Sequence, residues 1–96
     1  MVVNYDGNNF SEIIKKRVLI DFYANWCGPC KMLSPELEKI SDEIEVVKIN
    51  VDEHQDLARE YGVMSIPCII LIEDSKEIKR NVGFLPEKKL REFIKK

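Results

Sequence analysis

The sequence predicts an α/β fold: a central, mostly parallel sheet that ends in an antiparallel hairpin and carries helices on both faces. Apolar runs that suit buried strands alternate along the chain with segments of helical period, in the order β-α-β-α-β-α-β-β-α. This alternation is typical of a parallel sheet with helical crossovers. Only a short polar connection separates the last two strands, which favours an antiparallel pairing between them.

The N-terminal part of the chain gives a short strand, a short helix and a buried strand. Val2–Asn4 is the first strand, and Asn8 or Asn9 can cap a helix over residues 10–14. Val18–Tyr23 is almost continuously apolar, which is typical of a strand covered on both faces. Helices are therefore expected on both sides of this strand.

The rest of the chain continues the alternation. After Cys30, apolar side chains from Met32 to Ile44 recur at spacings of about three and four, which predicts a helix. Pro35 should kink this helix because proline removes one backbone hydrogen bond. The remaining elements are a strand over 46–51, a helix over 55–61 that ends at Gly62, strands over 68–72 and 77–82 joined by Asp74-Ser75-Lys76, and a helix that opens at Pro86 and buries Leu90, Phe93 and Ile94.

Length and composition limit the class of protein. The chain has 96 residues, which predicts one domain over residues 1–96, and its 45% hydrophobic and 33% charged residues are ordinary for a soluble globular protein. Charges of both signs are interspersed around a net charge of −2, so no basic face points to nucleic acid. No apolar stretch approaches the roughly 20 residues of a membrane helix, and no secretory signal is visible, so we expect a cytosolic protein without a membrane partner.

Cys27 and Cys30 form the most informative motif. Two residues separate them, and at the first turn of a helix this spacing brings both side chains onto one face, within reach of a disulfide. Cys27 should lie at or just before the helix N-terminus, where unpaired N–H groups and the helix dipole lower a thiol pKa. Cys30, one turn further, should be more shielded. Cys27 is therefore predicted to attack a disulfide and Cys30 to resolve the resulting mixed disulfide.

The residues between the cysteines suit this chemistry, although the spacing alone leaves other interpretations open. Gly28 permits close backbone approach, and Pro29 stiffens a first-turn position that tolerates proline. The pair could also be half of a zinc site or a chance occurrence. A structural zinc site usually combines two such pairs, whereas only Cys68 and His54 remain here, at unpaired spacing, and we expect no bound metal.

The segment around the cysteines closely resembles the active-site segment of the thioredoxin family. Its most specific part is the run from Trp26 to Lys31, with the sequence WCGPCK. The resemblance covers nearly the whole chain and continues through Pro35, residues 48–52, Tyr61-Gly62-Val63, Ile66-Pro67 and Gly83. It implies the thioredoxin fold, with a mixed central sheet.

The resemblance also implies a general protein-disulfide reductase and electron carrier that works as a monomer. It needs no bound cofactor, since a redox-active disulfide between Cys27 and Cys30 carries the electrons. A thioredoxin reductase that uses NADPH and a flavin would supply them. Ribonucleotide reductase, peroxiredoxins and methionine sulfoxide reductases would be among the recipients. An oxidase or isomerase on the same fold and a non-catalytic binding module are the alternatives, and Gly28-Pro29 favours the reductant because oxidants of related families carry His beside the second cysteine.

Further roles follow from the same resemblance. Asp21 would accept the proton of Cys30, directly or through a water, and Lys48 would moderate the charge of Asp21. Without the resemblance, Asp21 and Lys48 could equally be solvated residues at strand ends. The Ile66–Pro67 bond is predicted to be cis and to lie against the cysteines, so that the backbone of Ile66 can pair with an extended substrate strand.

An apolar patch around the cysteines would bind the substrate. The side chains expected to line it, each of which could instead belong to the core, are Trp26, Tyr23, Val63 and Gly83, together with Ile66 and Pro67. His54 is expected to be a solvated residue at a loop or helix start.

Three positions depart from the family's usual pattern. Cys68, directly after Pro67, could be a small buried side chain or a third thiol near the redox pair. Tyr23 stands where many members have tryptophan. The final hairpin lacks the common Asn-Gly turn.

Overall fold

A computed structural model describes residues 1–95, and the predicted order of strands and helices is confirmed. The elements are β1 (Val2–Asn4), α1 (Phe10–Ile13), β2 (Val18–Tyr23), α2 (Gly28–Ile40), β3 (Glu45–Asn50), α3 (Gln55–Glu60), β4 (Cys68–Glu73), β5 (Lys76–Val82) and α4 (Glu87–Phe93). None of the helices in this part of the chain is both long and apolar enough to cross a bilayer.

The five strands form one mixed sheet in the order β1-β3-β2-β4-β5. β1 and β2 both pair with β3 in parallel, whereas β4 is antiparallel to β2 and to β5. The expected antiparallel hairpin is therefore confirmed, and all strands except β4 point the same way. Two of the four strand pairings are parallel and two are antiparallel, because the one reversed strand, β4, lies between β2 and β5. The sheet is therefore mostly parallel in its strand directions but not in its pairings.

Alternation along β2 divides the core between the two faces of the sheet. Leu19 packs with Leu33 and Leu37 of α2 and with Leu90 of α4. The neighbouring Ile20 packs on the opposite face with partly buried side chains of α1 and α3. Burial of each such side chain contributes roughly 1.5–3 kcal/mol, so the central strand is fixed from both sides. The strand therefore fixes the position of the segment that follows Tyr23.

One local expectation is confirmed only in position, and another is wrong. Asn9 does occupy the N-cap of α1, but its side chain makes no capping bond; its backbone is left-handed, with φ 65°. Asparagine tolerates that conformation, and its carbonyl still accepts the first helical hydrogen bonds. The helix expected to reach Ile44 ends at Ile40, where the hydroxyl of Ser41 donates to the carbonyl of Glu38 at 2.8 Å. Ile44 is buried in the core outside the helix.

A two-residue turn, Asp74-Ser75, joins β4 to β5. Both residues have positive φ, 53° and 68°, as the hairpin geometry with matching twist requires. The N–H of Ser75 donates to the carbonyl of Ile14 at 2.7 Å, so the turn is tied to the segment after α1. Residues other than Gly and Asn adopt this backbone conformation only at a cost.

We expect Ser75→Gly to raise the free energy of unfolding by about 0.5–1 kcal/mol, because glycine removes the strain of positive φ and keeps the N–H that bonds Ile14. Urea denaturation at neutral pH measures the change. Ser75→Ala, which retains the strain, should give no gain. A loss of stability in the glycine variant would contradict this account of the turn.

Candidate active site

The cysteine pair lies where β2 ends and α2 begins. The N–H of Cys27 donates to the carbonyl of Ala24 at 3.2 Å, which turns the chain from the strand into the helix. Cys27 is the N-cap of α2, with extended backbone, and Pro29 lies in the first turn. Proline loses nothing there, because a first-turn N–H has no acceptor within the helix. The predicted position of Cys27 at the helix N-terminus is confirmed.

Cys27 and Cys30 form a disulfide, with their Cα atoms 5.2 Å apart. The N–H of Cys30 donates to Sγ of Cys27 at 3.2 Å. After reduction, the same donor and the positive end of the helix dipole would stabilise a Cys27 thiolate. The expected greater shielding of Cys30 is not found in this oxidised state, because the two residues are buried alike, with exposures of 5% and 4%.

The loop before β4 closes one side of the pair. The Ile66–Pro67 bond is cis, as predicted, and the carbonyl oxygen of Ile66 lies 3.8 Å from Sγ of Cys27. The carbonyl of Pro67 accepts the N–H of Gly83 at 2.8 Å, so the loop after β5 is tied to the loop before β4. Gly83 has φ 105°, a conformation that other L-residues rarely adopt. Ile66 therefore borders the cysteines, and Gly83 is bonded to the adjoining Pro67.

Asp21 lies in the middle of β2, on the face that carries α2. It is fully buried, and neither carboxyl oxygen has a hydrogen-bond partner within residues 1–95. Burial raises the pKa of Asp21 from 3.8 to about 7, although the nearby positive charge of Lys48 lowers it in part. The alternative of a solvated carboxylate at a strand end is wrong.

Lys48 lies directly across from Asp21 in the pairing of β2 with β3. Its Nζ donates to the hydroxyl of Ser34 on α2 at 3.0 Å and lies 4.6 Å from the centre of the Tyr23 ring. Lys48 is half-buried, so it is not the freely solvated residue of the alternative interpretation. A pocket of about 240 Å³ opens here, lined by Tyr23, Ala24, Asn25, Cys30, Lys31, Ser34 and Lys48.

Trp26 lies on the surface beside Cys27 and is 70% exposed. Its indole Nε1 donates to Asp52 at 2.9 Å. The side-chain oxygen of Asn50 accepts the N–H of Asp52 at 2.8 Å and fixes the turn that presents this carboxylate. Asp52 and Asn50 were not predicted as supports of the site, because only the fold brings the end of β3 next to residue 26.

Other large apolar side chains are exposed at positions close in sequence to the pair or to the loops beside it. Met32, expected within the apolar helical pattern, is 60% exposed, and Met64 is 95% exposed. Val82 and Phe84, the neighbours of Gly83, are 56% and 38% exposed. Each lies within two residues of Cys30, Ile66 or Gly83 in the sequence. Val63 and Tyr23, predicted members of this patch, are half-buried and pack partly into the core.

Cys68 is buried on the opposite face of the sheet. It packs with Phe22 and Ile70, whereas Cys27 and Cys30 pack with Ala24. Burial raises the pKa of the Cys68 thiol above its ordinary value. This packing favours the interpretation of Cys68 as a small apolar side chain.

His54 is the N-cap of α3 but is half-buried, with its ring 4.8 Å from that of Tyr5, so only the expected helix start is confirmed. Within residues 1–95, no group of three or more His, Cys, Asp or Glu residues could hold a metal ion.

Thiol–disulfide exchange is the chemistry that a disulfide at a helix N-terminus, with a titratable buried carboxyl group on the preceding strand, can perform. The fold and the site therefore define a thiol–disulfide oxidoreductase. A thioredoxin family model matches residues 1–96, and the chain belongs to the thioredoxin family.

Individual relatives agree with this assignment. Thioredoxin from Bacillus subtilis is 47% identical over 100 residues, which cover 99% of this chain and 96% of the relative. Thioredoxin from Mycoplasma genitalium is 48% identical over 79 residues, or 79% and 78% of the two chains. The solved structure of a mutant thioredoxin from Halobacterium salinarum superposes with a TM-score of 0.89 at 36% identity, covering 98% of this chain and 88% of the other. The Malassezia sympodialis thioredoxin gives a TM-score of 0.86 at 32% identity, covering 99% and 89%.

The raised pKa of Asp21 makes a prediction about stability. Between pH 3.8 and about 7 the folded protein holds a proton that the unfolded chain has released, so burial of Asp21 costs more stability as the pH rises. Asp21→Asn removes this titration. Relative to the unmodified chain, the variant should gain little at about pH 4 and a few kcal/mol, at most about 4, above about pH 8.

Urea denaturation of the oxidised protein across this pH range measures the difference. Asp56→Asn is the matched control, because the Asp56 side chain is 99% exposed. The effect of this substitution on the free energy of unfolding should therefore change far less with pH. A difference between Asp21→Asn and the unmodified chain that stays constant with pH would show that Asp21 does not titrate in this range.

Proposed function

We propose that this chain is a general protein-disulfide reductase and electron carrier in which Cys27 attacks and Cys30 resolves. The observation that carries the proposal is the bond from the Cys30 N–H to Sγ of Cys27 at the N-terminus of α2. A thiolate at this position gains a hydrogen-bond donor and the favourable end of the helix dipole, and the thiolate is the attacking species in disulfide exchange.

The reaction proceeds in two exchanges. The Cys27 thiolate attacks one sulfur of the target disulfide; that S–S bond breaks, and the departing target thiolate takes up a proton. The thiol of Cys30 then loses its proton and attacks Sγ of Cys27, which releases the second target thiolate. Two electrons pass to the target, and the Cys27–Cys30 disulfide that remains is the state described above.

Asp21 is the proposed proton acceptor for Cys30. Its pKa of about 7 suits a group that takes and returns a proton near neutral pH. Asp21 lies on the face of β2 that α2 covers, and the pocket lined by Cys30 and Lys48 opens on the same side of the sheet. Lys48 supports the role by moderating the negative charge that forms.

The apolar surface around the pair is the proposed docking site for target proteins. Extended target segments would pair with the backbone at Ile66 by strand addition, against Pro67. Trp26, Val63 and Gly83 would line the groove. The exposed side chains of Met32, Met64, Val82 and Phe84 extend it with a soft apolar rim, which suits the recognition of many targets.

Electrons would come from a flavin-dependent thioredoxin reductase that uses NADPH, since the cysteines are the only redox groups the mechanism needs in this chain. Recipients of the proposed class include ribonucleotide reductase, peroxiredoxins and methionine sulfoxide reductases. We place the reaction in the cytosol, where a reducing environment suits an unpaired thiol such as Cys68. The working unit would be the monomer, with the domain spanning residues 1–96.

The division of roles predicts opposite results for the two cysteine variants. With insulin as the disulfide substrate, Cys30→Ser should accumulate a mixed disulfide through Cys27, because the resolving thiol is missing. Cys27→Ser should form no adduct and should lose insulin reduction. Non-reducing electrophoresis and mass spectrometry identify the bond.

Cys68→Ser is the matched control and should reduce insulin like the unmodified chain. The proposal fails if Cys27→Ser retains insulin reduction, or if the adduct of Cys30→Ser runs through Cys68.

The docking surface predicts a selective effect on KM. Met64→Ser should raise KM for insulin several-fold and leave the reaction with a small disulfide unchanged, because only a protein target covers the rim. Ile78→Ser is the control: Ile78 is 41% exposed but lies on β5, away from the cysteines. If the two substitutions raised KM equally, Met64 would not be part of the proposed docking surface.

A further inference from the structure

The ammonium group of Lys48 bonds a hydroxyl group and leaves the carboxyl group of its cross-strand neighbour Asp21 without a donor. Lys48 is in register with Asp21 across β2 and β3, and both face α2. Yet Nζ donates to the hydroxyl of Ser34 at 3.0 Å and lies over the Tyr23 ring at 4.6 Å. The carboxyl oxygens of Asp21 accept no hydrogen bond from any described residue. A neutral hydroxyl therefore binds this cation, while a buried carboxyl group next to it has no donor.

This choice has electrostatic consequences for Asp21. An ammonium within about 4–6 Å of a carboxylate typically lowers its pKa by 1–3 units, whereas the pKa of Asp21 is raised to about 7. Burial outweighs Lys48, which agrees with an ammonium that is not bonded to the carboxylate. The position of Nζ therefore affects how strongly Asp21 holds a proton, while burial has the larger effect.

Ser34 is well placed to fix that position. It lies one turn after Cys30 on the same side of α2, and its half-buried hydroxyl lines the pocket that Cys30 and Lys48 share. Helix α2 is anchored by its buried leucines, so the hydroxyl is carried on a rigid element. The Tyr23 ring limits the other side of the ammonium.

We propose that Ser34 is a positioning residue: its hydroxyl holds the Lys48 ammonium against α2 and keeps this charge from pairing with the Asp21 carboxylate. The inference rests on the proposed function, because the proton affinity of Asp21 matters to the reaction only if Asp21 accepts the proton of Cys30. Ser34 acts through Lys48 and does not touch the reacting sulfurs.

Among the groups around Asp21, Lys48 is the one whose charge can change the pKa of this carboxyl group. β3 presents Lys48, and α2 presents Cys30, which does not titrate as a disulfide. β4 places Ile69 opposite Asp21, and the neighbouring Cys68 thiol lies on the other face. Within the described chain, Lys48 is the charged side chain that acts on the pKa of Asp21.

The test removes the hydroxyl. In Ser34→Ala the ammonium loses its acceptor, and the unpartnered carboxylate becomes the strongest acceptor within reach. Carbon-13 NMR of the Asp21 carboxyl group in the oxidised protein should then show a titration midpoint about one pH unit lower than in the unmodified chain. Alanine favours a helix, so α2 should keep its structure.

Two controls separate positioning from a general effect on packing. Ser34→Thr retains a hydroxyl and should keep the original midpoint. In a Lys48→Met background, Ser34→Ala should move the midpoint by no more than a tenth of its effect in the natural background, since no ammonium remains to be released. An unchanged or raised midpoint in Ser34→Ala, or the same shift without Lys48, overturns the proposal.

The same titration keeps this proposal distinct from the proposed function. If the titration midpoint of Asp21 moves to lower pH as expected, the pH profile of insulin reduction should move to lower pH with it. If the midpoint moves while the pH profile of the rate stays fixed, Ser34 has the proposed role, but Asp21 is not the proton acceptor of Cys30.

Discussion

The N–H of Cys30 donates to the sulfur of Cys27, and most of the site is arranged around this contact. It exists because α2 begins immediately after the buried strand β2, with Cys27 as its N-cap. A sulfur that caps a helix receives a donor and the helix dipole from the backbone alone, and no charged side chain has to be brought to it. The loop with the cis Ile66–Pro67 bond then brings the Ile66 carbonyl to the same sulfur, and the Gly83 N–H bonds the Pro67 carbonyl of that loop.

Asp21 is the costly part of this arrangement. A buried carboxyl group without a hydrogen-bond partner destabilises the fold, and the large apolar clusters on both faces of β2 offset that cost. The same burial moves the titration of Asp21 into the range where the protein is expected to work. Stability and chemistry therefore make opposite demands on one side chain.

Periodicity predicted the elements well wherever one physical rule dominated. The apolar run Val18–Tyr23 and the short Asp74-Ser75-Lys76 connection predicted a buried strand and a hairpin, and both are present, although the last strand already begins at Lys76. The end of the helix near Ile44 was wrong because Ile44 is buried by the core although it lies outside α2. Met32 fitted the helical pattern but is exposed, since it follows Cys30 by two residues and so lies on the side of α2 that faces away from the buried Cys30, Leu33 and Leu37.

The site was predicted unevenly for a similar reason. The position of Cys27 follows from local sequence, whereas the cis bond before Pro67 and the burial of Asp21 were expected from the family resemblance. Ser34 and Asp52 were missed because their roles depend on contacts across α2, β3 and the loop at Trp26. For Ser34, the only local sign in the sequence was its position one helical turn after Cys30.

The bond between the Pro67 carbonyl and the Gly83 N–H gives the groove beside Cys27 its shape before any partner arrives. A surface organised in advance loses little conformational entropy on association. In the proposed function, a short extended segment of a target would therefore bind without remodelling this protein, and such a small contact would separate quickly once the sulfur–sulfur bond has been exchanged. A groove formed in this way would favour brief encounters with many dissimilar proteins over long residence on one.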